Sequence, residues 1–308
     1  MDLFAGIGGL RLGFQFAFPE AKCVFSSEWD KNAQITYEVN FEEKPHGDIT
    51  KIKAEDIPQH DVLLAGFPCQ AFSVAGYRKG FEDEKGRGNL FFEIVRILEH
   101  HAPKVIFLEN VKNLKTHDNG NTIKVIYREL KRLGYFVKDS VLNAMEVGNL
   151  PQNRERIFII GFLEEKICDA FQFPKKQPLT QSIHACLVSG KVDEKYFYNK
   201  NALYSTLQES IVSRDTLYQW RRKYVRENKN NVCPTLTANM GMGGHNVPLI
   251  LAKKGIRKLT PRECANFQGF PKSYILPPLA DSHLYKQFGN SVAVPVIEAI
   301  AKQIKDVL

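Results

Sequence analysis

Along the first 160 residues, short continuous apolar runs alternate with segments whose apolar positions repeat at helical spacing. Residues 61–65 and 104–108 are apolar runs of strand length, as expected for strands buried on both faces. Residues 1–5, 22–27, 137–142 and 156–162 read as further strands, and 8–18, 31–40, 89–101 and 122–133 as helices. Repeated strand–helix units predict an α/β fold with a doubly wound, mostly parallel sheet. A single helix separates the runs at 61–65 and 104–108, so those strands are expected to be sheet neighbours. Beyond about residue 162 the rhythm stops and Pro174, Pro178 and Pro234 punctuate the chain. Residues 175 to about 255 are predicted to form a smaller domain. A capped helix is expected over 260–270, with Thr260 as N-cap, Pro261 in the first position and Glu263 three residues on. Residues 291–308 are amphipathic, with Val294, Ile297, Ala301, Ile304 and Val307 on one face, and are expected to pack back on the sheet.

Composition narrows the class. Of 308 residues, 44% are apolar and 25% charged, which fits a globular enzyme and excludes a fibrous repeat or a disordered tail. No apolar run reaches the roughly 18 residues of a membrane span. No signal peptide precedes Asp2-Leu3-Phe4, so a cytoplasmic location is expected. Lys and Arg number 42 against 34 Asp and Glu, a net +8 that favours a polyanionic partner. The six cysteines, Cys23, Cys69, Cys168, Cys186, Cys233 and Cys264, form no C-x-x-C pair, so neither a disulfide framework nor a zinc or other metal site is expected.

Three places carry candidate chemistry. In the first turn, Gly6, Gly8 and Gly9 sit between a strand end and a helix start, where glycines admit a ligand close to the backbone. Some twenty residues on, Glu28 is placed to accept from ribose hydroxyls, Trp29 to stack on adenine, and Asp48 to accept from an adenine amino group. The pattern is not G-x-G-x-x-G, so adenosine without a pyrophosphate fits better than a dinucleotide. The alternative is a tight βα turn with a capping acid and no ligand.

The second place is a cysteine and a glutamate at the ends of neighbouring strands. Cys69 lies in a Gly/Pro loop after the 61–65 run, and Glu109 follows the 104–108 run. A thiolate suits conjugate addition to an electron-poor ring, and a buried glutamate beside it can protonate a ring nitrogen. Otherwise Cys69 is a small buried hydrophobe and Glu109 a helix cap or surface acid. The third place is residues 214–229, where Arg214, Arg221, Arg222, Lys223, Arg226 and Lys229 face only Asp215 and Glu227, a net +4. Tyr218, Trp220 and Tyr224 interleave with these charges, in the manner of a nucleic-acid-binding segment or of a solvated basic helix face.

Five motifs in order make the connection. Phe4-Ala5-Gly6-Ile7-Gly8-Gly9, Gly66-Phe67-Pro68-Cys69-Gln70, Glu109-Asn110-Val111, Gln152-Asn153-Arg154-Glu155-Arg156 and Gly289-Asn290-Ser291-Val292 span nearly the whole chain. The series resembles that of the DNA (cytosine-5)-methyltransferases, especially the bacterial restriction–modification (type II) kind. The resemblance implies the S-adenosylmethionine-dependent methyltransferase fold with a smaller DNA-recognition domain. It implies a catalytic domain over 1–174 and 285–308, target recognition over 175–255 and a hinge over 256–284.

As catalytic residues it implies Cys69, Glu109, Arg154 and Arg156: Cys69 adds to C6 of a flipped cytosine, Glu109 serves N3, and Arg156 stabilises the base or orients Glu109. For S-adenosylmethionine it implies Phe4, Gly6, Gly8, Gly9, Glu28, Trp29, Asp48, Ile49, Pro68, Leu90, Asn290, Ser291 and Val292. For DNA it implies Ser73, Arg78, Arg87, Arg221, Arg222, Arg226, Thr235, Thr237, Gly243 and Gly244. Phosphate binding or surface pairing is the other reading of Arg154 and Arg156. The glycine-rich, basic stretch 75–89 is expected to be a flap that closes over DNA, or else a surface insertion.

The expected partner is double-stranded DNA carrying a short GC-rich palindrome such as GGNCC or CCNGG, with a cognate restriction endonuclease as functional partner and a monomeric enzyme. Competing readings are an RNA-acting enzyme of the same family, a non-catalytic DNA-binding module and a nicotinamide-dependent oxidoreductase. The recognition domain and arginine-rich segment favour DNA over RNA, and Cys69, Glu109 and both arginines argue against a non-catalytic module. The incomplete dinucleotide fingerprint, with Cys69 and the basic segment left unexplained, argues against an oxidoreductase. Family members have residues ahead of the first strand, whereas this chain begins inside it. The strand is therefore expected to be short at that end, which bears on stability or completeness more than on chemistry.

Overall fold

The structure, a computed structural model, describes residues 1–68, 90–242 and 246–308. Its chain divides into two compact units, residues 1–142 with 155–174 and 298–308, and residues 143–154 with 175–297.

In the first unit, strand β4 (Val105–Val111) is buried from its first residue to Asn110, as its unbroken apolar run requires of a central strand. Around it the sheet runs β2 (Ser26–Ser27), β1 (Asp2–Leu3), β3 (Val62–Gly66), β4, β6 (Glu155–Phe162), β5 (Phe136–Asn143). The pairs β2–β1, β1–β3 and β3–β4 are parallel, and β4–β6 is antiparallel. The expected α/β, mostly parallel sheet is thus observed, and the 61–65 and 104–108 runs are neighbours. Helices α1 (Gly9–Ala17), α2 (Lys31–Phe41), α3 (Leu90–His101) and α4 (Asn121–Arg132) fall where helical spacing predicts them. Leu63, Ala65, Ile106, Leu108, Ile157 and Ile159 share a core with Ile94 and Leu98 of α3 and Ile126 of α4. Period-two alternation then turns Leu64, Phe107 and Ile160 to the opposite face.

Two expectations need correction. The strand read over 22–27 is formed only at Ser26–Ser27. Glu109-Asn110-Val111 does not follow β4 but completes it, because pairing with β6 continues to Val111↔Arg156 after the apolar run has ended.

The second unit holds a four-stranded sheet, β10 (Gly255–Lys258), β9 (Leu249–Ala252), β7 (Tyr218–Trp220), β8 (Val225–Glu227), with antiparallel neighbours. Its apolar face contributes Tyr218, Leu249 and Ile256 to a small core with Leu207 and Ile211. Helix α5 (Pro261–Phe267) carries the predicted capping box: Thr260 Oγ1 accepts from Glu263 N, and Glu263 accepts from Thr260 N. Fully buried Glu263 also binds Arg257 through both carboxylate oxygens, at 2.6 and 2.7 Å, and accepts from Val188 N. Residues 256–284, expected as a hinge, cluster with this unit, as do 143–154 and 285–297. Helices α6 (Asp281–Asn290) and α7 (Val294–Lys305) follow. On α7, Ile297, Ala301 and Ile304 are buried, and Lys305 Nζ donates to Ala17 O at 2.9 Å.

Candidate active site

The first turn is built by backbone conformations that favour glycine. Gly6 and Gly8 have φ of +55° and +77°. A Cβ on Gly8 would lie 2.1 Å from the Phe41 ring, whereas one on Gly6 would meet, among the described residues, only Phe4 O, at 4.0 Å. The described residues thus leave open space at Gly6. Phe4 itself has φ +53° and packs on the core. Buried Glu28 accepts from Gly6 N at 2.8 Å through one oxygen and from Asp30 N at 2.7 Å through the other. Burial pushes its carboxyl up, and these backbone N–H groups oppose that rise. The next residue, Trp29, is 71% exposed.

Asp30 is a capping acid, accepting from Asn32 N and Ala33 N at the start of α2. Asp48 caps the short turn that follows it, accepting from Thr50 N and Thr50 Oγ1. The Ile49 side chain is in the core, so only its backbone can face a ligand. Leu90 opens α3 and packs partly on the core, and Pro68 is exposed.

At the ends of the neighbouring strands, Gly66 of β3 pairs with Glu109 of β4. A Cβ on Gly66 would lie 3.5 Å from Glu109 Oε2, so the glycine keeps room beside the carboxylate. Glu109 is 8% exposed, and Arg156 Nε lies 3.1 Å from its Oε1. Burial pushes the Arg156 guanidinium below its ordinary value and Glu109 opposes this. The pair follows from sheet register, since Glu109 stands opposite Phe158 and Arg156 is two residues along on the same face.

Asn110, to which the sequence reading gave no role, donates from Nδ2 to Phe67 O at 2.8 Å and accepts from Val111 N through Oδ1. It thereby fastens the chain two residues ahead of Cys69. Its place inside the Glu109-Asn110-Val111 motif was the only signal. Cys69, Ser73, Arg78, Arg87, Gly243 and Gly244 lie outside the described residues, as does the expected flap at 75–89.

Arg154 has a different setting from Arg156. It is 2% exposed, and its guanidinium donates to Leu236 O at 2.7 Å, Gly289 O at 3.3 Å and Ser291 O. Gln152 reinforces this hub: its Nε2 donates to Phe267 O at 2.7 Å and its Oε1 accepts from Leu236 N at 3.2 Å. Gly289 is required there, since a Cβ would lie 2.2 Å from the carbonyl carbon of Thr237. Asn290 is the exposed last residue of α6, Ser291 caps that helix and Val292 is buried.

The basic segment is the β7–β8 hairpin, not a helix. Arg221 and Arg222 occupy its exposed turn, where Arg222 has φ +65°. With Arg226, Asn228, Thr235, Thr237 and Asn239, the hairpin lines a polar cleft of about 660 Å³ within the second unit. Thr235 Oγ1 donates to Asn153 O at 2.6 Å. Among the described residues, no helix is long and apolar enough to cross a membrane.

Comparison with known proteins gives the family. Residues 1–306 match the family of C-5 cytosine-specific DNA methylases. The chain is 61% identical to the type II methyltransferase M.Bsp6I of Bacillus sp. strain RFL6, over 98% of this chain and 97% of that protein. It is 43% identical to the type II methyltransferase M.HhaI of Haemophilus parahaemolyticus, over 99% and 93%. In fold it is similar to the S. pombe Dnmt2 methyltransferase, with a TM-score of 0.76 at 21% identity, over 99% of this chain and 97% of that one. The chain therefore belongs to the C-5 cytosine-specific DNA methylases and is a DNA (cytosine-5)-methyltransferase of the type II kind.

Proposed function

We propose that the enzyme methylates C5 of a cytosine flipped out of a short specific duplex site, with Cys69 as nucleophile. The observation that carries this reading is the buried Glu109 carboxylate held by Arg156 beside Gly66, from which the chain leads through Pro68 to Cys69. Inside a duplex the C6 face of cytosine is covered by stacking, so the base must leave the helix. The Cys69 thiolate forms a bond to C6 while Glu109, entering the step as the protonated acid, donates its proton to N3, so that no charge accumulates on the ring and C5 becomes an enamine carbon. S-adenosylmethionine, when bound, supplies a methyl group on a sulfonium leaving group, the electrophile that C5 takes up. Loss of the C5 proton to a base, return of the N3 proton to Glu109 and breakage of the Cys69–C6 bond release 5-methylcytosine and restore the enzyme. Arg156 orients Glu109. Arg154 acts at a distance, as a positioning residue.

The first turn suits that cofactor. Gly6 leaves open space among the described residues, the Trp29 face is exposed for an adenine, and Asp48 caps the short turn that follows the Ser27–His46 bridge. The Glu28 carboxylate accepts from the backbone N–H groups of Gly6, Asp30 and Trp29 and keeps a further lone pair for a ribose hydroxyl. Gly8, Gly9, Phe4, the Ile49 backbone, Pro68 and Leu90 complete the set, and Asn290, Ser291 and Val292 join it by family resemblance. Arg221, Arg222, Arg226, Thr235 and Thr237 contact DNA, joined by Ser73, Arg78, Arg87, Gly243 and Gly244. The enzyme acts as a cytoplasmic monomer and protects host DNA from a cognate endonuclease.

Covalent trapping tests the chemistry. On a duplex with 5-fluorocytosine at the target, C5 carries no proton to lose, so the adduct persists. Mass spectrometry is expected to find the DNA on Cys69, and Cys69→Ala to form no adduct while still binding DNA. An adduct on another residue would overturn the assignment.

A further inference from the structure

We infer that Gln219 and Arg226 act as one base-reading unit that fixes a guanine of the target site, an inference that rests on the DNA-methyltransferase reading above. The two residues are direct cross-strand partners in the β7–β8 hairpin. Arg226 Nη2 donates to Gln219 Oε1. Strand alternation explains where they point. Tyr218, Trp220 and Val225 turn to the apolar cluster of the second unit, so Gln219 and Arg226 share the other face, where both line the polar cleft.

The bond matters because of what an exposed arginine otherwise costs. A free arginine loses side-chain rotational freedom when it is held in one geometry, and it is satisfied by any nearby phosphate. Here the guanidinium is already oriented within the cleft. One of its five N–H donors is used by Gln219, and Nε and Nη1 have no partner among the described residues. The remaining donors form a planar fork that matches O6 and N7 of guanine in the major groove. Arg221 also lines the cleft, but it and Arg222 stand on the exposed hairpin turn, and among the described residues no side chain is hydrogen-bonded to either guanidinium. They are suited to phosphate, which gives affinity without sequence.

The test is a methylation profile of the full-length enzyme on a randomised duplex library, read by bisulfite sequencing, for wild type, Arg226→Lys, Arg226→Ala and Gln219→Ala. Both Arg226 variants are expected to lose discrimination at one G·C position by about 10- to 100-fold, with the other positions unchanged. Gln219→Ala is expected to relax the same position by less. Thermal unfolding checks each variant's fold, and the conservative Arg226→Lys and the surface variant Gln219→Ala carry the test if Arg226→Ala does not fold. An unchanged profile would overturn the inference. So would Arg226 variants that slow all sequences equally with a shallower salt dependence, the signature of a phosphate contact, or a Gln219→Ala effect at a different position. A wild type that methylates no DNA would instead sink the reading on which the inference rests.

Discussion

Arg156 Nε stands 3.1 Å from Glu109 Oε1, and the two residues occupy diagonal positions on one face of the antiparallel β4–β6 pair. The arrangement orients a buried carboxylate from a rigid sheet rather than from a loop. Glu109→Gln keeps the shape of the acid but loses its proton. It is expected to lower the single-turnover rate of methyl transfer by about 10²- to 10⁴-fold. Arg156→Lys keeps a charge but not the planar fork, and a smaller fall in rate with a nearly unchanged KM for DNA is expected. Wild-type rates for Glu109→Gln would remove it from the mechanism.

Arg154 is expected to behave as a structural anchor. Truncation to Ala leaves the Leu236, Gly289 and Ser291 carbonyls without their guanidinium partner in a buried place. The expected loss is about 2–4 kcal/mol of stability, measured by urea unfolding. A fall in transfer rate with undiminished stability would show a chemical role instead.

Glu263 and Arg257 form a buried pair that also closes the cap of α5. Glu263→Ala leaves a buried guanidinium uncompensated and is expected to cost about 3–5 kcal/mol. Replacing both partners, as Arg257→Met with Glu263→Leu, is expected to cost much less. Equal losses for the single and double variants in denaturant titration would contradict the pair as the cause.

Two buried groups of the first unit give opposing pH dependences. Burial raises the Asp2 carboxyl to about 7 and lowers the His60 imidazole to about 4. Between the ordinary carboxylate range and pH 7, the unfolded chain has lost the Asp2 proton while the fold retains it, so stability falls as pH rises. For His60 the fold stays neutral while the unfolded chain binds a proton, so stability is lost as pH falls from 6.5 toward 4. Relative to wild type, Asp2→Asn is expected to gain stability as pH rises through its window, and His60→Gln to gain as pH falls through its own. Each limiting slope is about 1.4 kcal/mol per pH unit. Urea unfolding across pH 4–8 checks both, and parallel curves for wild type and variants would rule the assignments out.

Much of the fold was legible where its signals are local. The two buried runs, the helix between them and the Thr260-Pro261-Glu263 cap each announce themselves within a few residues. What depends on pairing was less visible. The end of β4 lies past the last apolar residue of its run, because hydrogen bonding to β6 extends it to Val111. The β7–β8 hairpin is dense in charge, so composition could not distinguish it from a basic helix. Arg154 and Arg156 sit two residues apart in one motif. Yet one meets a carboxylate and the other three carbonyls, in segments more than eighty residues further along the chain. Asn110 lies within a motif, but its contact with Phe67 O, which shows its part, comes from the fold and not from the sequence.

Transfer of labelled methyl from S-adenosylmethionine to a mixed pool of duplex DNA and tRNA, followed by bisulfite sequencing of the DNA, tests the central claim most directly. The account predicts label in DNA, as C5-methylated cytosine at one short sequence. Label in tRNA and none in DNA would contradict it.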